Sequence, residues 1–245
     1  MWQLLDTGKQ SAAANMELDA QLLAELGAGD APLIHFYEWS EESATYGHFL
    51  SIERLINLAE AKRRGVHFAR RPTGGGLLFH RFDFAFSVLV PAASRFFSLN
   101  TLANYHFINR AVKKAVQTFL EKSPEALGLL DQEPLPLDPQ CRYFCMAKPT
   151  KYDVMVGAQK VAGAAQRRTK KGYLHQGSIA LLPPDRPFLR ALLLPGTQVY
   201  EAMQAQTFSL LGSQPTPQEV NKARALLKKQ LIFYLTQESQ QESTT

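Results

Sequence analysis

Two short stretches of this chain collect residue types that could hold an anion or an acyl carbonyl. The first is Arg70-Arg71-Pro72-Thr73-Gly74-Gly75-Gly76. Three consecutive glycines let a backbone approach a ligand closely, because no Cβ stands in the way. Consecutive exposed N–H groups can bind a carboxylate or phosphate, and two preceding arginines add positive charge and forked donors. A hairpin loop with basic flanks accounts for the same residues without a ligand. The segment lacks the Gly-Lys-Ser/Thr of a Walker A loop. It also lacks the G-x-G-x-x-G spacing of a dinucleotide fingerprint, and a strand rather than a helix follows it. The second stretch is Lys160-Val161-Ala162-Gly163-Ala164-Ala165-Gln166. Small side chains on a strand leave room for a ligand beside the backbone, and a lysine at its start can reach a carbonyl or carboxylate; a solvated strand-end lysine is the alternative. The basic run Arg167-Arg168-Thr169-Lys170-Lys171 that follows reads as a solvated loop, or as a contact for an acidic partner or a phosphate.

The surrounding pattern supplies elements to carry these stretches. Ser11–Leu26 reads as an amphipathic helix, with Leu18, Leu22, Leu23 and Leu26 at helical spacing and Gly27 as its stop. Leu33–Tyr37 and Thr45–Leu50 read as strands. A second helix is expected over Ser51–Arg64, capped by Ser51 and ended by Gly65. Val66–Arg70 and Leu77–His80 are strands on either side of the glycines, and Phe84–Val90 is an apolar run expected to be a buried strand. Leu99–Lys122 is a long helix, and Ser123–Gln140, rich in Pro, Asp and Glu, is a loop. Tyr152–Val156, Lys160–Ala164 and Tyr173–Leu182 are strands, the first two joined by a hairpin turn at Gly157-Ala158. Thr216-Pro217-Gln218-Glu219 is a capping box with Pro at the first helical position, opening a C-terminal helix. Gln237–Thr245 lacks periodicity and reads as a frayed tail. Strands in hairpin-like clusters between helices favour an α+β fold with a mixed sheet flanked by helices over a doubly wound parallel one.

The chain has 245 residues, 45% apolar and 20% charged, ordinary globular composition and enough to bury one core without staples. A single domain over 1–245 is expected. No secretory signal is visible and no stretch is long enough to span a membrane, which points to the cytoplasm. There, a disulfide between Cys141 and Cys145 is not expected, and C-x-x-x-C without a second pair does not make a zinc site. No metal is expected. The net charge of +5 suits acidic protein partners as well as phosphorylated ligands. Nucleic acid is not expected, because no helix-turn-helix region precedes the motifs.

The two motifs coincide with those of one family. Arg70-Arg71-Pro72-Thr73-Gly74-Gly75-Gly76-Leu77-Leu78-Phe79-His80 resembles the R-R-x-x-G-G-G-x-x-x-H segment of the lipoate–protein ligases and octanoyltransferases. Tyr152-Asp153 through Lys160-Val161-Ala162-Gly163-Ala164-Ala165-Gln166, then Gly177-Ser178-Ile179, resembles that family's second signature. Trp2 to Gly8, Asn15-Met16 and Asp19 also look like the family, so the resemblance covers about residues 2–182, leaving a helical extension over about 186–237. It implies the biotin/lipoate protein ligase-like catalytic fold, with an acyl pocket beside the glycines and a lysine touching the acyl carbonyl. Carried over by position, the substrate-binding residues are Arg70, Arg71, Gly74, Gly75, Gly76, His80, Gly163 and Ala164, with Lys160 catalytic. Three positions depart from the pattern: Arg81 stands where the family often has Asp after the histidine, Gly163-Ala164-Ala165 replaces Gly-Ser-Ala, and His175 is displaced by Gln176 from its usual place before the glycine. A one-residue offset on a strand points a side chain to the other face, away from the site.

Two chemistries exist within this family. Lipoate ligases use ATP and Mg²⁺ to make an acyl-adenylate. The cysteine-dependent octanoyltransferases form an acyl-thioester on a cysteine four residues before a proline. Cys145-Met146-Ala147-Lys148-Pro149-Thr150-Lys151-Tyr152-Asp153 resembles that C-x-x-x-P-[Ser/Thr]-x-Tyr-[Glu/Asp] pattern, making Cys145 the candidate nucleophile and Cys141 a bystander. A thiolate suits acyl exchange with a thioester, and Lys148, Lys151, Arg142 and Lys160 are cations that could favour that form. The residues after about 185 are too few for the extra domain that many lipoate ligases carry. The expected activity is transfer of an octanoyl or lipoyl group, without a cofactor, from an acyl carrier protein to the lysine of a lipoyl-carrier domain: a 2-oxoacid dehydrogenase E2 or the glycine cleavage H protein. An ATP-dependent ligase using free octanoate or lipoate is the alternative; a non-catalytic acyl-binding homologue is the second.

Overall fold

A computed structural model describes residues 1–81, 83–123, 126–183, 185–212 and 214–241. In chain order the elements are β1 (Gln3–Gln10), α1 (Ala12–Glu25), β2 (Leu33–Trp39), β3 (Ser43–Tyr46), α2 (Leu58–Arg63), β4 (His67–Arg70), β5 (Leu77–Phe79) and β6 (Asp83–Pro91). There follow α3 (Thr101–Leu120), β7 (Leu127–Leu129), β8 (Val154–Val156), β9 (Gln159–Arg168), β10 (Gly172–Ala180), α4 (Arg186–Leu192), α5 (Val199–Gln206) and α6 (Pro217–Gln241). Seven strands form one sheet in the order β1-β2-β6-β10-β9-β8-β7, and three form a second, β4-β3-β5. Parallel pairs (β1 with β2, β3 with β4) and antiparallel pairs occur in both sheets, so the α+β class and mixed sheet hold.

The large sheet is covered on both faces, which is why β6 reads as an apolar run. Phe84, Phe86, Val88 and Val90 pack with Ile108, Val112 and Val116 of α3 and with Leu227, Leu231 and Leu235 of α6. The alternate residues face α1: Ala85 packs with Met16, and Leu89 with Leu23 and Leu26. The period of two along each strand makes that division. Ser11 caps α1 as expected, and the Thr216–Glu219 box closes at the start of α6, with Glu219 N donating to Thr216 Oγ1 at 3.2 Å.

Several elements depart from the sequence pattern. The helix expected over Ser51–Arg64 is broken into a 3-10 turn, Ile52–Arg54, and the short α2, which Asn57 caps while Ser51 makes no cap bond. Between them Ile56 forms a β-bridge with Leu193, and Asn57 N donates to Leu192 O. That tertiary pairing overrides the helical spacing. The strand expected over Thr45–Leu50 stops at Tyr46, because Gly47 packs directly on Gly74-Gly75: a Cβ there would lie 2.0 Å from Gly75 O. The Ser123–Gln140 loop contributes β7 to the sheet edge. The expected frayed tail from Gln237 is helical through Gln241; Glu242–Thr245 lie outside the described residues. Among the described residues, no helix is long and apolar enough to cross a membrane.

Candidate active site

The face of the large sheet turned toward α1 and the small sheet holds a stripe of polar and small residues. Across the strands, Ser87 pairs with both His35 and Gln176, and Gln176 with Ala165; one row further, Ala85 pairs with Ser178 and Ser178 with Gly163. Over this floor lies a cavity of about 230 Å³, lined among others by Met16, Tyr37, Trp39, Leu50, Leu78 and Ala85 on its apolar side. Its polar side brings together Arg71, Gly75, Gly76, His80, Cys145, Lys160, Gly163, Ala164, Gln176 and Ser178. Of the ten expected site residues only Arg70 and Gly74 stand apart. Arg70 is exposed, donates to His48 O and lies over the Tyr46 ring. Alternation along the chain sends its side chain away from the cavity while Arg71 turns inward. Gly74 contributes its carbonyl, which accepts from Arg71.

Cys145 is brought to the cavity by the glycine turn. Its N–H donates to Leu77 O at 3.0 Å. A Cβ on Gly76 would sit 2.4 Å from Tyr143 O, so only glycine lets the cysteine loop lie this close. Gly75 has φ +90, the left-handed region that glycine tolerates, and faces the sulfur. Cys145 is half-buried; Cys141 is fully buried, and burial pushes its thiol up, as suits a bystander.

Two buried cations meet at this residue. Arg71 Nη2 lies 3.9 Å from Cys145 Sγ and donates to Gly76 O at 2.6 Å, while its Nη1 donates to Thr45 O and Oγ1. Lys160 Nζ donates to the main-chain carbonyl of Cys145 at 2.8 Å and pairs with Asp153 Oδ2 at 2.7 Å. Burial pushes the Asp153 carboxyl up, and the Lys160 ammonium opposes that shift without cancelling it. Three other cations expected near the sulfur have different partners: Lys148 pairs with Glu133, Lys151 with Asp131, and Arg142 lies over Tyr143.

Two hydrogen-bond networks hold the walls. In the first, Thr45 Oγ1 lies 2.7 Å from His80 Nε2, His80 Nδ1 lies 2.7 Å from Asp83 Oδ2, and Ser178 Oγ donates to the same oxygen at 2.6 Å. Trp39 stacks on His80 and donates to Asp83 Oδ1. Burial alone raises the Asp83 carboxyl, but His80, Ser178 and Arg224 together outweigh it and hold it below the usual range. In the second, Asp19 accepts from Ser87 Oγ and Gln176 Nε2, both at 2.6 Å, and lies 2.9 Å from His35 Nδ1, while Thr73 donates to Gln176. Gln176 thus links the glycine turn to α1. His175 faces the opposite side, as its offset predicted: it is buried near Tyr105, accepts from Gln166 Nε2, and burial lowers its pKa to about 3.

Thr45, Asp83, Asp153, Gln176 and Ser178 were not among the expected site residues. Asp153, Gln176 and Ser178 lay inside quoted motifs; Thr45 and Asp83 carried no local signal, since only the fold brings them to His80. Among the described residues, no group of three or more His, Cys, Asp or Glu side chains could hold a metal ion.

Residues 11–226 match the family described as the lipoyl protein ligase A/B catalytic domain. The chain is 30% identical over 230 residues to octanoyltransferase LipM of Symbiobacterium thermophilum, covering 91% of this chain and 82% of that protein. It is 31% identical over 206 residues to octanoyltransferase LipM of Geobacillus kaustophilus, covering 83% and 74%. Among solved structures, a bipartite lipoate protein ligase from Thermoplasma acidophilum superposes with a TM-score of 0.67 at 22% identity, over 96% of this chain and 83% of that one. A lipoate-protein ligase A bound with ATP gives 0.66 at 22% identity, over 96% and 85%. At these identities the structures speak for a shared fold. The sequence match and the arrangement of motif residues around one cavity lead to the same conclusion: this chain belongs to the lipoyl protein ligase A/B catalytic domain family.

Proposed function

We propose that this protein is an acyltransferase of protein lipoylation that moves an octanoyl group, through a thioester on Cys145, from a carrier's thioester to a lysine of a lipoyl-carrier domain in the cytoplasm. The octanoyltransferase relatives support the activity. The observation that carries the thioester route is the meeting of Cys145 with Arg71 and Lys160 at the mouth of an apolar cavity.

In the first half-reaction the Cys145 thiolate attacks the octanoyl carbonyl. A carbon–sulfur bond to the enzyme forms, the donor's bond breaks, and the departing thiolate takes up the proton that Cys145 gave up. The acyl chain lies along Trp39, Tyr37 and Met16. The N–H groups of Gly75 and Gly76 and the Arg71 guanidinium receive the charge that develops on the carbonyl oxygen. Lys160 fixes the peptide of the nucleophile. In the second half-reaction the neutral amine of the target lysine attacks the thioester. The amide forms, Cys145 leaves as thiolate, and the amine's surplus proton passes to solvent. Neither step requires a cofactor; the ligase alternative requires ATP and Mg²⁺.

Incubation with octanoyl carrier protein and intact-mass analysis tests this. One octanoyl adduct on the wild-type protein and none on Cys145→Ala is expected. An adduct retained in Cys145→Ala, or pyrophosphate release from ATP with free lipoate, would sink the thioester route.

A further inference from the structure

The basic run Arg167-Arg168-Thr169-Lys170-Lys171 closes β9 and turns into β10. Along β9, Gly163, Ala165 and Arg167 share the face turned toward the acyl cavity. A Cβ on Gly75 would meet Ala165 Cβ at 3.7 Å and Cys145 Sγ at 3.9 Å. Ala165 therefore stands next to the sulfur, and Arg167 is one step further out on the same face. There Arg167 Nη1 donates to Pro72 O, in the glycine turn. Arg168, on the other face of the strand, donates to Leu99 O just before α3, and Arg70 donates to His48 O.

Arg70, Arg167, Arg168 and Lys170 are all exposed. Among the described residues, none of the four meets a carboxylate. Cations elsewhere do: Arg63 and Arg64 pair with Glu60, Lys148 with Glu133 and Lys228 with Asp6. The sequence accounts for the difference, since residues 61–82, 84–120 and 154–184 contain no aspartate or glutamate. Two large apolar side chains stand exposed beside these cations. Phe49, 93% exposed, lies between His48 and the cavity-lining Leu50, and Leu99 is 81% exposed. Forked arginines held on main-chain carbonyls, with apolar side chains beside them, have the composition of an interface. There, aromatic and arginine anchors carry affinity and unpaired charge selects the partner.

We propose that this rim docks the acceptor, an acidic lipoyl-carrier domain whose carboxylates around the target lysine meet Arg70, Arg167, Arg168 and Lys170. A lysine carries its amine on a four-carbon stem, so the domain that bears it has to stand on the rim itself for the amine to reach Cys145. Guanidinium forks in fixed positions suit carboxylates, and a face without acids of its own repels none. The inference rests on the transferase reading in that octanoyl-Cys145 is what the docked lysine attacks.

The two half-reactions separate docking from chemistry. The enzyme is loaded with octanoyl-N-acetylcysteamine, a donor without a protein, and then mixed with the apo form of a glycine cleavage H protein. Intact mass follows the loss of octanoyl-Cys145. Arg168→Glu with Lys170→Glu is expected to load at the wild-type rate and to transfer about tenfold more slowly at low acceptor concentration, the lower end of what electrostatic steering supplies. Added salt is expected to slow the wild type more than this variant. Arg167→Gln keeps a donor for Pro72 O and loses the charge; a smaller slowing of transfer, again with normal loading, is expected. Transfer unchanged in both variants overturns the proposal. So does a slowing confined to loading from octanoyl carrier protein, which would seat the donor here, or wild-type binding to phosphatidylglycerol vesicles that the double variant loses, which would make the rim a membrane surface. Titration of apo H protein onto Cys145→Ala needs no chemistry. Binding weakened by the charge reversal, with no octanoyl adduct on the wild type, removes the thioester route and keeps the docking surface. Binding unchanged by the reversal, with the adduct formed, removes the surface and keeps the route.

Discussion

Lys160 Nζ donates to the carbonyl of Cys145 while pairing with Asp153, so one buried ammonium ties the peptide of the proposed nucleophile to a carboxylate. Removing one member of a buried pair strands the other, at a cost of about 3–5 kcal/mol. Lys160→Met is therefore expected to lower stability by that order. Lys160→Met with Asp153→Leu is expected to regain most of it, yet to load octanoyl slowly because the Cys145 loop has lost its anchor. Urea unfolding beside intact-mass kinetics checks both halves; a double variant that loads at the wild-type rate refutes the anchoring role.

Gly163 bears on the same buried pair. A Cβ there would sit 2.4 Å from both Cε and Nζ of Lys160 and 2.7 Å from Asp153 Oδ1. The lysine tip can yield only by shifting against Asp153, so Gly163→Ala is expected to fold with a weakened buried pair. Its octanoyl loading is expected to fall by roughly 10²-fold, the scale on which small misplacements at a site act. A melting temperature below that of the wild type together with slow loading is the predicted pair of results.

Arg71 uses both ends of its guanidinium fork, on Thr45 and on Gly74, Gly76 and Cys145. A lysine cannot reproduce that geometry. Arg71→Lys is expected to load octanoyl about 10–10²-fold more slowly, since one end of the fork is lost, each charged hydrogen bond being worth about 1.5–3 kcal/mol. Steady-state loading over a range of donor concentrations measures it, and a wild-type rate would exclude Arg71 from the chemistry.

His175 makes a prediction for pH. Burial lowers its pKa to about 3, against about 6.5 in the unfolded chain. The depressed value means that its contribution is present above about pH 6.5 and lost as pH falls toward the folded value, because the unfolded chain takes up the proton first. By pH 5 that amounts to about 2 kcal/mol. His175→Leu is expected to flatten the pH dependence of chemical denaturation between pH 7 and 5. It is also expected to keep octanoyl loading, as the side chain faces away from the cavity.

How much of this was legible beforehand follows from where each signal resides. β6, α3 and the α6 capping box were readable because burial and capping are local patterns. β1 was not, as an edge strand mostly exposed along its length carries no apolar alternation. The break at Ile56 comes from a bridge to Leu193, more than a hundred residues away. In the site, Arg71, His80, Cys145 and Lys160 were identified through the motifs, but Thr45 and Asp83 became visible only when β3 and β6 met around His80. Arg70 was misplaced because two adjacent arginines look alike in sequence and differ only in the side of the chain they occupy.

Arg224, in α6, donates to the main-chain carbonyl of Asp83 and pairs with Glu38. Asp83 in turn holds His80 and Ser178 on the cavity wall. During synthesis, the loop that carries Cys145 and the strand that carries Lys160 leave the ribosome well before residue 224 does. The pocket consequently acquires its last brace late, and a nascent chain that already displays its thiol still lacks the helix that steadies His80.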